Sequence, residues 1–276
     1  EEELFWLNYI SALINEKYLN DAIKAIKIAN NKGITRAKLD DFIVMLSSIF
    51  YNLGVTNHEK GRFGEAITYY SQAIEQKFNS PFAHNNLGII FQYQDKLFEA
   101  ESCFKKAIML KIDYFESHNN LGNIYKIQKR FLEAENSFKQ AIIINPKYAE
   151  AHNNLGITFK SQGKLQEAES SYQLAISLKP EYAEAYYNLG ITLQEQGRFE
   201  EAELNYKKMI TLKPNFAGVH YNLGIILQEL NRLDEAEASF NQAILINPVA
   251  NKAQQAQLKC LYIQNKKTLF FDKLDY

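Results

Sequence analysis

Two cysteines in 276 residues, Cys103 and Cys260, are too few and too far apart for a disulfide framework or a metal-ligand spacing. Each reads as a small packed residue, not as a nucleophile or redox partner. No charge sign dominates, since 31 Lys plus Arg face 32 Asp plus Glu. No sustained basic stripe runs along the chain either, which argues against nucleic acid as the main partner. No apolar run approaches the roughly 20 residues that cross a bilayer, so no membrane insertion is expected. A signal segment is missing, and the chain opens on Glu1, Glu2 and Glu3 instead of methionine. The simplest expectation is a fragment of a longer protein, or one whose start is processed or disordered. Location is thereby weakly constrained, with the cytoplasm expected. Phosphate-cradling loops of the Gly-x-Gly-x-x-Gly or Gly-Lys-Ser/Thr kind are absent as well, and no cofactor is expected. Hydrophobic residues, at 46%, are ample for a folded core.

What the chain does have is a period. Gly54, Gly88, Gly122, Gly156, Gly190 and Gly224 follow one another at a constant interval, each in a Leu-Gly pair. Three further columns keep the register: Ala66 through Ala236, the aromatics Tyr70, Phe104, Phe138, Tyr172, Tyr206 and Phe240, and the small column Ala73 through Ala243, with Met209 as its one large member. Pro146, Pro180, Pro214 and Pro248 mark junctions between successive units. Such a period implies units that bury their apolar faces against neighbours. Each unit reads as two helices. In the fourth, Ala149 to Lys160 and Leu165 to Ser177 flank a Gln162-Gly163-Lys164 turn, and Pro180 opens the next. Gly156 lies mid-helix, where glycine costs about 1 kcal/mol against alanine, a loss accepted if the missing side chain lets helices approach. Ala168 is small for the same reason, and Tyr172 is expected to fill the wider gap between units.

These columns resemble the tetratricopeptide repeat family, strongly over residues 47–250. The stretch from His152 to Phe159 matches its aromatic-x2-Leu-Gly-x2-aromatic signature, with histidine at the usual aromatic place. The resemblance implies an all-α, right-handed superhelical solenoid of antiparallel helix pairs, first helices lining the concave wall. Three regions follow. Residues 1–46 form a degenerate repeat, with Ile10 in the glycine's place, and a connecting helix. Residues 47–250 form six regular units, and residues 251–276 a capping helix and an amphipathic tail of Leu269, Phe270, Phe271 and Leu274. The tail is expected to fold onto the last repeat.

If the family geometry holds, the sixth place of each unit faces the concave surface. That column is Asn52, Asn86, Asn120, Asn154, Asn188 and Asn222. A primary amide both donates and accepts, so such a ladder can satisfy an extended peptide backbone with little regard to its sequence. It is similar to the asparagine ladder in the array of O-linked N-acetylglucosamine transferase. A second reading stays open, in which the amides only brace neighbouring helices. The preceding column reads Tyr51, Asn85, Asn119, Asn153, Tyr187 and Tyr221; the column three places beyond reads Val55, Ile89, Asn123, Ile157, Ile191 and Ile225. These aliphatics suit either the groove or the helix–helix core. The wall is thus amide and aromatic with few fixed charges, and suits an uncharged to mildly apolar peptide or protein segment. The carboxylate clamp of chaperone adaptors is not matched, because lysine is missing from the fifth place and only Asn123 fits the ninth.

No constellation for catalysis emerges. His84, His118, His152 and His220 share one place in their units, one or two periods apart, and read as packing residues. Acid pairs such as Glu167/Glu169 and Glu235/Glu237 read as a solvated outer face, not as a general acid and base. Nothing assembles a nucleophile, base and oxyanion site. The function expected is therefore a non-catalytic interaction module. Alternatives are the substrate-recognition arm of a larger glycosyltransferase- or sulfotransferase-like enzyme, and a scaffold that self-associates through its termini.

Overall fold

The computed structural model describes residues 1–75, 80–249 and 251–271, the last six by backbone alone. Regular structure among them is entirely helical. In chain order the helices are α1 (Glu2–Asn15), α2 (Leu19–Asn31), α3 (Arg36–Glu59), α4 (Phe63–Glu75), α5 (Pro81–Tyr93), α6 (Leu97–Leu110) and α7 (Phe115–Ile127). They continue with α8 (Phe131–Ile144), α9 (Ala149–Ser161), α10 (Leu165–Leu178), α11 (Ala183–Glu195), α12 (Phe199–Leu212), α13 (Ala217–Glu229), α14 (Leu233–Ile246) and α15 (Asn251–Phe271). Two compact units divide the chain, residues 1–124 and 125–276, and α7 crosses the division. Each is an all-α stack of antiparallel helix pairs, and α3 to α14 are the twelve helices that the period implies.

The turn inside each pair has a fixed chemistry. Gly61, Asp95, Lys129, Gly163, Gly197 and Asn231 all have positive φ, and they recur once in every period. The next residue's N–H then reaches back five residues, as Lys164 does to the Phe159 carbonyl at 2.9 Å and Arg198 to the Leu193 carbonyl at 2.9 Å. This closes the first helix with a left-handed cap. Glycine meets the turn without steric cost. Lys129 adopts a φ of 60° there, at a cost of roughly 1–2 kcal/mol that pair packing offsets.

That packing centres on one contact. The ring of Tyr172 lies over Gly156 of its own pair, so a Cβ built on the glycine would stand 2.6 Å from the ring Cε1. Gly54 meets Tyr70, Gly88 meets Phe104, Gly190 meets Tyr206 and Gly224 meets Phe240 in the same way, at 2.5–2.6 Å. The column expected to fill the gap between units thus also closes its own pair, while Tyr70 packs on Ala83, Leu87 and Ile90 of the following one. All six ring residues and the alanines from Ala66 to Ala236 are fully buried. Each ring contributes about 2–3 kcal/mol of apolar burial.

Carboxylates fasten successive pairs. In the second unit Glu135 accepts from Lys164 at 3.3 Å, Glu169 from Arg198 at 2.7 Å and Glu203 from Arg232 at 2.6 Å, each 29 residues on. The same arginines also hold Glu201 and Glu235 at the start of their own helices. Glu169 is thus not part of a solvated outer face as expected, for its side chain is only 15% exposed. Burial alone would raise the Glu203 carboxyl, but hydrogen bonds from Arg232 and Lys207 outweigh it and hold the group below its ordinary value. Glu135 is held low in the same way by Lys139, Gln162 and Lys164.

The ends depart from the regular stack. Ile10, in the glycine's place, is fully buried in a core with Ile14, Ala22, Ala29, Leu39, Leu46 and Phe50. α3 runs unbroken for 24 residues and, by length and composition alone, could cross a membrane. Its apolar face, including Leu39 and Leu46, packs within the first unit instead. At the other end α15 keeps the register without the pattern. Leu258 holds the glycine's place and is 65% exposed, because no second-helix ring lies over it among the described residues. The backbone is helical through Phe271. The side chains of Leu269, Phe270 and Phe271, and Leu274 altogether, lie outside the described residues.

Gly156→Ala should therefore destabilise the protein by about 1–3 kcal/mol in urea unfolding, despite alanine's better helix propensity. Gly64→Ala, which meets nothing within 4 Å, should instead stabilise it by about 0.4–1 kcal/mol. A Glu135→Gln, Glu203→Gln double variant tests the latches. Depressed carboxylates contribute stability above their ordinary value of 4.5 and lose it as pH falls through the depressed one. The variant should melt below wild type near pH 7, and the gap should close by about pH 3.

Candidate functional site

The asparagine column lies on the first helices α3, α5 and α7 of the first unit and α9, α11 and α13 of the second. Asn52 is exposed, and the other five are half-buried. Their amides are held from behind. In the first unit Asn86 Nδ2 donates to the Tyr70 hydroxyl at 3.2 Å, and Asn120 Nδ2 donates to Asn85 Oδ1 at 3.0 Å. In the second, Asn188 Nδ2 donates to Asn153 Oδ1 at 3.0 Å and Asn222 Nδ2 to the Tyr187 hydroxyl at 3.2 Å. Every one of these acceptors belongs to the preceding pair. Among the described residues, Oδ1 of Asn120, Asn188 and Asn222 accepts no hydrogen bond and is not among the fully buried unpartnered polar atoms.

The column before the ladder divides in two. Asn85, Asn119 and Asn153 are 5%, 5% and 4% exposed, which sets them beneath the rungs. Asn85 Oδ1 accepts from the buried Ser117 as well as from Asn120. All three were expected to touch a ligand. Asn85 and Asn153 instead serve as acceptors for the residues that face outward, and Asn119 is buried at the same depth. Tyr51, Tyr187 and Tyr221 remain half-buried beside the ladder, each within 5.8–6.1 Å, ring to ring, of its pair's core aromatic. Burial raises the Tyr187 hydroxyl's pKa and pushes Tyr70 up to about 12, so both stay neutral hydrogen-bonding groups at physiological pH. Val55, Ile89, Asn123, Ile157, Ile191 and Ile225 are all half-buried, shared between core and surface.

The face carries more charge than those columns suggest. Four residues beyond each repeating glycine stand His58, Gln92, Lys126, Lys160, Gln194 and Gln228. Lys160 pairs with Glu195 at 2.8 Å. Gln194 Oε1 accepts from the Tyr206 hydroxyl at 2.7 Å. Lys126 Nζ stands 3.4 Å from Asn154 Oδ1 and 5.8 Å from the centre of the Phe138 ring. This column was visible at the same period as the ladder, one helical turn past the glycine, and its lysines were the missed signal.

The histidines act on the backbone. His118, His152 and His220 set Nε2 against the carbonyls of Ile112, Pro146 and Pro214 at 3.1, 3.0 and 2.8 Å. Gln254 makes the same contact to Pro248 at 2.9 Å in α15. Burial lowers the pKa of His84 and His118, which favours the neutral ring. Cys103 is half-buried and its thiol is pushed up to about 11 by burial, so little thiolate forms near neutral pH. Among the described residues no three His, Cys, Asp or Glu side chains group to hold a metal.

Helix pairs on one fixed period, closed by a glycine–ring contact and lined by a repeated amide, define a helical-repeat protein. The family model described as TPR repeat matches residues 54–95, 122–163 and 156–197, and that described as tetratricopeptide repeat matches 183–216 and 217–248. The chain belongs to the tetratricopeptide repeat family. No curated protein sequence matches it. Among solved structures it is similar to YrrB, described as a TPR protein with an unusual peptide-binding site, at 22% identity and TM-score 0.56 over 68% of this chain and 97% of that one. It is similar to PilF of Pseudomonas aeruginosa at 19% identity and TM-score 0.69, over 77% of this chain and 97% of that. The Cut9–Hcn1 hetero-tetramer of the APC/C matches at 16% identity and TM-score 0.66, over 93% of this chain and 55% of that.

The hydrogen bonds make the two asparagine columns unequal. Asn85→Ala strands the buried Ser117 and Asn120 and should cost about 1–3 kcal/mol of stability. Asn120→Ala leaves Asn85 its Ser117 donor and should cost under about 1 kcal/mol. Equal losses in urea unfolding would show the outer column to be as structural as the inner one.

Proposed function

We propose that this chain is a non-catalytic interaction module that holds an extended peptide or protein segment against the asparagine-bearing faces of its first helices. The observation that carries the reading is the direction of the amides. Asn120, Asn188 and Asn222 give their N–H groups to the preceding pair and keep an oxygen with no internal donor, able to accept from a backbone N–H. An amide braced in advance loses little side-chain freedom on binding, which favours affinity. Half-buried Tyr187 and Tyr221 add apolar area beside the second unit's rungs. YrrB, described as carrying a peptide-binding site, and Cut9, solved in a complex with Hcn1, are relatives of the same fold that engage polypeptide.

The likeness to the array of O-linked N-acetylglucosamine transferase rests on the asparagine column alone and belongs to this reading. So does the division into a degenerate first repeat over residues 1–46, six regular repeats over 47–250 and a cap over 251–276. Each compact unit then carries three of the rungs.

An Asn120, Asn154, Asn188 triple alanine variant tests the proposal. Panned against displayed random linear peptides, wild type should enrich binders that the variant releases, while the far-ultraviolet circular dichroism of both proteins agrees. Retention of the same peptides by the variant would overturn the proposal. Loss of helicity together with binding would assign the column to bracing.

A further inference from the structure

One cation on the ladder face stands without a counter-ion. Lys126 is half-buried at the end of α7, with Nζ 3.4 Å from the rung oxygen of Asn154 and 5.8 Å from the centre of the Phe138 ring. Among the described residues no carboxylate pairs with it, and burial alone, with no carboxylate opposing it, lowers its pKa from the ordinary lysine value. The other groove lysine in this register, Lys160, is paired with Glu195 at 2.8 Å, so Glu195 is not the missing partner. Where the core ring is Tyr206, the equivalent residue Gln194 accepts from its hydroxyl at 2.7 Å. Phe138 has no hydroxyl. The ammonium instead stands over the bare ring and beside the ladder.

A partly desolvated ammonium beside an amide oxygen and a ring is only partly compensated. An incoming carboxylate would complete its hydrogen bonding and regain the charge interaction that burial withheld. Resting on the reading of this face as a peptide groove, we infer that Lys126 is an anion subsite that recognises an aspartate or glutamate side chain of the bound segment. The ladder accepts a backbone without regard to sequence, and Lys126 sets one position of that backbone to be acidic. The expectation of an uncharged partner is replaced at this one place.

The substitution that tests the inference is Lys126→Gln, because glutamine occupies the same register at Gln194 and Gln228 and is compatible with the fold. Displayed random linear peptides are selected on wild type and on the variant, and the enriched sequences are compared. Wild type should enrich Asp or Glu at one fixed position, and Lys126→Gln should bind peptides of the same kind with that preference gone. A single acidic peptide taken from the selection should bind the variant about 10-fold more weakly, and its Asp→Asn or Glu→Gln form should bind both proteins alike. Peptides that bind wild type with no acidic position, or with one that survives in Lys126→Gln, would overturn the inference and leave the groove reading intact. Enrichment of no peptide at all would overturn both.

Discussion

A ring takes the place of a side chain, and most of the architecture is arranged around that exchange. Where Gly156 withholds its Cβ, Tyr172 enters, and the two helices of the pair settle at the distance which that ring allows. Ala168 and Ala175, four residues before and three after the ring on the same helix, are both fully buried. The pair is then narrow enough for a short left-handed turn at Gly163 to close it. Asn154 and Asn153 sit two and three residues before Gly156, so the contact that fixes this glycine also fixes where their amides stand. Site geometry is in this sense a by-product of core packing.

The amide ladder serves structure and surface at once, and the two roles fall to different atoms. Nitrogen faces back onto the preceding pair and helps hold the stack. Oxygen is left without an internal donor in Asn120, Asn188 and Asn222. Bracing and peptide contact, which stood as rival readings of one residue, are compatible readings of its two ends. The buried asparagines Asn85 and Asn153 make the division work, because each offers an acceptor in a place closed to water. Without them the outer amides would rotate freely and present donor and acceptor in turn.

Much of this was legible in the sequence because a period averages out local ambiguity. One glycine inside a helical pattern says little, whereas the same glycine in every unit, always at one fixed distance before an aromatic, states a contact. What the period did not disclose was which way the contact runs. The Tyr172 column was expected between units and closes its own pair as well, since spacing along the chain does not distinguish a neighbour within the hairpin from one beyond it. The carboxylates were misjudged for a related reason. Glu169 has the composition of a surface residue, and only the position of Arg198, 29 residues later and at the start of the next pair's second helix, makes it an inward-facing latch. Lys126 was hidden differently: its column varies among His, Gln and Lys, so no repeated letter drew notice to it.

The latches have a consequence for how such a chain can change its length. Glu135, Glu169 and Glu203 each reach forward to a base in the following pair, and the base is Lys164, Arg198 or Arg232 in turn. Each of these three joints therefore has the same acid on one side and an equivalent base on the other. Excising residues 149–182, one full period, would bring Arg198 to the place that Lys164 holds opposite Glu135. The joint would re-form with its sign and spacing intact. Interchangeable couplings of this kind let whole units be gained or lost by recombination without redesign of the seam, so the number of asparagine rungs is free to vary while the fold is not.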